Sequence, residues 1–235
     1  MPVVKEVLDA MKLLSDGIKA METFVSACKN GQKFLKSRYP DVGGDLSAMC
    51  FEVQKTLLAM AVASSAVTNF RFTVAGRAVD TEPRRFNEYF IAYKPREAEL
   101  RAQINKSRGH CTKIEAYAKK MKEKAKSRGL NSLFGLLGVK SKEREEELSQ
   151  TLTSIYQEDL MFHIVVDEMT DAITKTFKAV QQKLGPAGTM NPANVKEAAK
   201  VLGEYANRFG ALESKCLYLS GELQKIIDEV SPQSS

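Results

Sequence analysis

Tryptophan is absent from this sequence, histidine occurs twice, cysteine four times and proline seven times in 235 residues. Two histidines, His110 and His163, are too few for a site built on several imidazoles. A ferritin-like carboxylate centre needs Glu-x-x-His on two helices, and no Glu-x-x-His occurs. Cys28, Cys50, Cys111 and Cys216 are far apart and form no CxxC pair, which excludes the usual zinc and dithiol spacings. Each falls where a helical pattern wants an apolar side chain, so they read as reduced core residues. With proline scarce and Ala, Leu, Lys and Glu plentiful, long helices are favoured. No strand–helix alternation of the kind that builds a parallel sheet is visible. The opening MPVVKEVLDAMK mixes charge with apolar residues and lacks the hydrophobic block of a signal peptide. The most apolar run, LLAMAVASSAV at 57–67, is about half of the roughly 20 residues that cross a bilayer. These absences predict a soluble, cytoplasmic protein and call for no cofactor.

What is present is periodic. Val195, Ala198, Leu202, Tyr205, Phe209, Leu212, Cys216, Leu219, Leu223, Ile226 and Val230 follow alternating steps of three and four, and all are apolar. Val4, Val7, Met11, Leu14, Ile18, Met21, Val25, Cys28 and Leu35 repeat the pattern near the N-terminus, with Gln32 as the one interruption. Such a repeat puts a stripe along one helix face, which must be buried against partner helices. Between them lie three further periodic stretches. One carries Leu46, Met49, Val53, Met60, Val67 and Phe70. The next carries Phe86, Phe90, Tyr93, Leu100, Ile104, Cys111, Ile114 and Met121, and the last Leu148, Leu152, Ile155, Phe162, Val166, Met169, Ile173 and Val180.

The spacing predicts helices over about 2–38, 45–72, 83–128, 142–184 and 194–230. YPDVGGD reads as the first break, and VAGRAVDTEP as the second, with Pro83 suited to a first helical turn. LGPAGTMNPAN reads as the last, where Asn194 with Glu197 resembles a capping box. Pro95 is expected to kink the third helix near its start. The expected fold is all-α: one domain, an elongated and mostly antiparallel bundle of about five long helices.

Few residues here resemble a catalytic constellation. Asp159, His163 and Asp167 are spaced by four in EDLMFHIVVDE and so share one helical face. The chain has no further carboxylate–histidine set to complete a metal site, and that face reads as solvated, with Asp159 at the edge of the core. GLLGVKS lacks the frame GxxxxGK[ST] and has no preceding strand, so it is no phosphate loop.

One stretch stands apart. GLNSLFGLLGVKS at 129–141 places Leu130, Leu133, Phe134, Leu136, Leu137 and Val139 together. Upstream lie Lys119, Lys120, Lys122, Lys124, Lys126 and Arg128 against the single Glu123, and Lys140 and Lys142 follow. Cations near a helix C-terminus suit its dipole, and the acids EREEE at 143–147 suit an N-terminus. The alternative is a greasy tip flanked by cations, the composition of a segment that enters an anionic membrane surface or grips an acidic protein. Nucleic acid is disfavoured, because no aromatic is interleaved with the lysines between Ala118 and Gly129.

With a net charge of +6, the expected function is a non-enzymatic helical-bundle module. It would engage an anionic membrane surface or an acidic partner through this basic edge and apolar tip, placing it peripherally at membranes. The alternatives are a scaffold, adaptor or homo-oligomer with the tip buried, and more remotely a metal-assisted enzyme. No family-specific motif is present.

Overall fold

The computed structural model describes residues 2–38, 40–75, 83–132, 139–184 and 192–230, with side-chain surroundings chiefly over 12–32, 43–66, 98–123, 149–171 and 207–229. These residues form five helices: α1 (Pro2–Arg38), α2 (Pro40–Ala75), α3 (Pro83–Ser132), α4 (Val139–Leu184) and α5 (Pro192–Val230). No strand occurs among them. The shortest, α2, has 36 residues and the longest, α3, has 50, so the helices run about 54 to 75 Å.

The helix limits differ from the sequence reading at the breaks. Only Tyr39 separates α1 from α2, and Gly43 and Gly44 lie inside α2. Proline at a first helical position loses no hydrogen bond, so Pro40 opens α2. A glycine costs only about 1 kcal/mol in a helix, which burial of Leu46, Met49 and Cys50 one turn later outweighs. Pro192 likewise opens α5 ahead of Asn194, and α3 continues through Pro95.

Side-chain pairs set the directions. Asp45 meets Lys120, and Glu52 meets His110, so α2 and α3 are antiparallel. Arg108 meets Asp171, and Lys122 lies over Tyr156, which makes α3 and α4 antiparallel. Lys29 bonds Glu222 and Gln32 bonds Glu229, so α1 and α5 run parallel. Gln54 reaches Gln224 across the antiparallel α2–α5 pair. The main contacts close a five-membered ring in the order α1, α4, α3, α2, α5 and back to α1. The chain is an up-down-up-down-up helical bundle.

Heptad stripes face its interior. Leu14, Met21, Val25 and Cys28 from α1 meet Phe209, Leu212, Cys216, Leu219, Leu223 and Ile226 from α5 in one contiguous cluster with the buried residues of α2, α3 and α4. Gln32, the break in the first stripe, is buried and bonds Glu229. All four cysteines are buried and free. Burial raises the thiols of Cys111 and Cys216 to about 12, so they stay protonated and pack as small apolar groups.

The α1–α4 contact has its own code. Positions 17, 24 and 31, one heptad apart, are Gly, Phe and Gly. Phe24 stacks on Phe162 with ring centroids 5.6 Å apart. A Cβ on Gly31 would sit 2.5 Å from Ile155 Cδ1, and one on Gly17 would collide with the Met169 sulfur. The two glycines therefore let the backbones close around one aromatic pair.

Within α2, the 24 residues Gly43–Ala66, of hydropathy 1.3, are long and apolar enough to cross a membrane by length and composition. The shorter run read from sequence did not anticipate this. Since 61% of that window is buried inside the bundle, packing against α3 and α5 accounts for much of its apolarity.

Candidate interaction site at the α3–α4 end

The basic edge lies on the last third of α3. Lys119, Lys120 and Lys126 are exposed and Lys122 is half-buried. Three of these lysines already have partners. Lys119 bonds Glu115 at 2.8 Å, Lys120 bonds Asp45 at 3.0 Å, and the Lys122 ammonium sits 4.5 Å from the Tyr156 ring centre. Exposed pairs of this kind are worth about 0–1 kcal/mol and are screened by salt. The carboxylate of Glu115 raises the pKa of Lys119, so its charge is secure throughout the neutral range. The side-chain surroundings of Lys124 and Arg128 lie outside the described residues, and so do Leu133, Phe134, Leu136 and Leu137. Val139, Lys140 and Lys142 fall in the first turn of α4.

Two features of the helices bear on why the cations are there. First, α3 continues to Ser132 and has no basic residue in its last turn. The dipole effect fades beyond that turn, so it does not explain Lys119–Lys126. Second, α4 begins at Val139 and has no acid in its first turn. The EREEE run, expected to open the helix, instead follows Lys140 and Lys142. Those two lysines stand where the dipole disfavours cations.

The helix ends also set the shape of this end. From the level of the Lys120–Asp45 pair, α3 runs on to Ser132 while α2 reaches back only to Pro40. The excess is seven residues, about 10 Å. From the level where Ile155 packs on Gly31, α4 extends to Val139 while α1 stops at Arg38. That excess is nine residues, about 13 Å. Both arms of the α3–α4 hairpin project past the helices beside them.

The EDLMFH face does not stay together. Asp159, expected at the edge of the core on a solvated face, is instead fully inside it at 1% exposure. Burial, with the charge of Glu115 adding, raises its carboxyl from 3.8 to about 8, so it is mostly protonated at neutral pH. Its Oδ1 has no hydrogen-bond partner among the described residues. The rest of the face looks outward, with His163 Nε2 3.4 Å from Asp167 and Arg108 bridging to Asp167 and Asp171. Among the described residues no three His, Cys, Asp or Glu side chains converge as a metal-ligand set.

Sequence reasoning missed two features. Glu52, buried on α2, accepts from Lys55 at 2.9 Å and lies 3.1 Å from His110 Nδ1. Burial pushes its pKa up, but the hydrogen bonds from Lys55 and His110, with the charges of Lys55 and Lys113, more than offset that and hold it below the usual value. Ser107, one turn before His110, is fully buried. The arrangement therefore holds an imidazole in place and presents no solvent-reached nucleophile.

The second is an apolar face on α2 and α5. Phe51, Leu58 and Val62, with Leu217 and Tyr218, are all more than two-fifths exposed. At 100° per residue the three α2 positions lie within about 40° of one another, opposite the buried Met49, Val53 and Met60. The signal was available in the sequence, since α2 is apolar on nearly every side.

Comparison with known proteins adds no identity. No family model matches the chain, nor does any curated protein or solved structure.

Proposed function

We propose that this chain is a non-enzymatic interaction module. Its α3–α4 hairpin engages an anionic surface, either a membrane leaflet or an acidic protein. The observation that carries the reading is the projection of that hairpin beyond α1 and α2, in a segment whose sequence pairs cations with large apolar residues. The helix dipoles offer no local reason for those cations, which supports an external one.

Two terms combine in this mode. Each lysine near an anionic leaflet contributes about 1 kcal/mol, and apolar burial about 25 cal/mol per Å². The hairpin has both, so the reading places the module peripherally on the cytoplasmic side of a membrane. Flotation with vesicles of neutral and anionic lipid tests it. Binding is expected to require anionic lipid, to weaken as salt is raised and to fall with Leu136→Asp. Equal flotation of wild type and variant refutes the membrane version.

The exposed α2–α5 face favours a second reading, a scaffold that assembles through its helices. Light scattering separates the two: a stable dimer indifferent to hairpin changes supports the scaffold.

A further inference from the structure

α2 carries a second periodic stripe on the side away from the core. Ala48, Phe51, Lys55, Leu58, Val62 and Ser65 follow alternating steps of three and four, and each is half-buried or exposed. Their repeat of 3.5 residues is that of a coiled-coil seam. A helix apolar on both sides belongs inside an assembly, yet Phe51, Leu58 and Val62 stay more than two-fifths exposed. The stripe also holds the shape of what would cover it. A cavity of about 280 Å³ opens over α2, with Leu58, Ala61, Val62 and Ser65 along it, between Glu99 of α3 and Leu217 of α5. Those four α2 positions are spaced i, i+3, i+4 and i+7, the four-residue hole that receives one side chain of a facing helix in knobs-into-holes packing. The knob to fill it is on the same stripe. Phe51 is 46% exposed and stands eleven residues before Val62, about 16 Å along the helix. A knob and a hole on one stripe fit a second copy turned end for end, since a two-fold contact needs a self-complementary surface. The area agrees. Phe51, Leu58, Val62, Leu217 and Tyr218, 41 to 59% exposed, offer on the order of 400 Å² of largely apolar side chain per copy. A standard interface hides about 800 Å² per copy, and in homodimers about 65% of it, roughly 500 Å², is apolar. Lipid would ask for the apolarity alone, with neither period nor hole.

We propose that two copies of this chain pair about a two-fold axis along the outer stripes of α2, antiparallel, each placing Phe51 in the hole of the other. The pairing rests on the scaffold reading and names what that scaffold assembles with. In this register Phe51 faces Val62 of the other copy, Lys55 faces Leu58, and Ala48 faces Ser65. Lys55 enters the contact with its charge already met, bonded to Glu52 at 2.9 Å and 4.1 Å from the centre of its own Phe51 ring. A lone lysine in a seam fixes register at some cost in affinity.

Cross-linking tests the register. All four native cysteines are buried, so a cysteine added at the surface is the one that reacts. Ala48→Cys and Ser65→Cys, mixed and oxidised with copper phenanthroline, give a disulfide-linked heterodimer. Neither variant links by itself, because its two added thiols lie about 25 Å apart across the axis. In sedimentation velocity, wild type forms a dimer and nothing larger as concentration rises, with little dependence on salt. Phe51→Ser and Val62→Lys, at side chains nearly half exposed, each raise the dissociation constant about tenfold or more. Circular dichroism and melts of the dilute monomer stay as in wild type, and Leu136→Asp in the hairpin leaves the dimer intact. A wild type that is monomeric at its solubility limit overturns this contact and the scaffold reading together. A dimer that survives both stripe variants, a mixture that fails to cross-link, or a link within one variant overturns the contact alone and leaves assembly to another face. A dimer lost in Leu136→Asp moves the contact to the hairpin. If wild type shows no dimer and Phe51→Ser floats less with vesicles, lipid covers the stripe and the pairing falls.

Discussion

The α1–α4 and α2–α5 pairs are both long antiparallel helix contacts, yet they use small residues in opposite ways. On α1, Gly17 and Gly31 bring the backbone against Met169 and Ile155, and Phe24 between them stacks on Phe162. The pair closes around its aromatics. On α5, Gly210 and Gly221 have nothing within 4 Å of where a Cβ would stand, so neither serves a close approach. The α2–α5 contact is nonetheless the most extensive in the bundle; beside it lies a groove, and Phe51, Leu58, Val62, Leu217 and Tyr218 face outward. A glycine at a heptad position marks intimate packing only when its neighbour fills the vacancy. Apolar residues left over on the outer side of a packed pair are what a partner can use.

The largest test of that contrast is Phe24→Ala. Its side chain is fully buried, so denaturant unfolding should show a loss of about 3–5 kcal/mol, and a loss under 1 kcal/mol would mean the α1–α4 seam is not closed. Next comes Asp159, buried in α4. Its carboxyl sits at about 8 in the folded protein against an ordinary 3.8. Between those values the folded state keeps a proton that the unfolded chain has released. The contribution of Asp159 to stability is therefore greatest below about pH 4, declines by about 1.4 kcal/mol per unit as pH rises, and levels off above about pH 8. Asp159→Asn should flatten that slope and stabilise the protein at pH 8 by about 3 kcal/mol. An unchanged pH profile would place the carboxylate in water.

Smaller effects separate the glycines directly. Gly31→Ala should destabilise by about 1–3 kcal/mol through the clash with Ile155, a buried side chain with little room to move. Gly221→Ala, on an open and exposed helix position, should stabilise by about 0.5–1 kcal/mol. Thermal melts of the two variants moving in the same direction would erase the distinction. Smallest of all, Phe51→Ser on the outward face should change stability by less than about 0.5 kcal/mol. A larger loss would show that this face is already covered.

Much of the fold was legible because the 3.5-residue period needs no tertiary information. Phe209, Leu212, Cys216, Leu219, Leu223 and Ile226 were identified by spacing alone, and all are buried. The breaks were less legible. Gly43 and Gly44 carry a real helical penalty, but local propensity yields when the next turn is buried. Asp159 was misplaced because its type argues for solvent, whereas its position, three residues before the buried Phe162, argues for the core. Where the two conflict, the neighbouring helices decide. The basic residues of the hairpin were visible in the sequence, while their projection beyond the neighbouring helices depends on where each helix ends.

The sequence by itself determined that the chain is helical and which stripe of most helices turns inward, because one face of each stripe has to leave water. Only the tertiary structure decided which stripes meet, how closely, and what is left over. Backbone separation at a helix pair depends on both partners at once, as Gly31 with Ile155 shows. The same holds for the α2–α5 groove and for the overhang of α3 and α4, which exist only as differences between helices packed side by side.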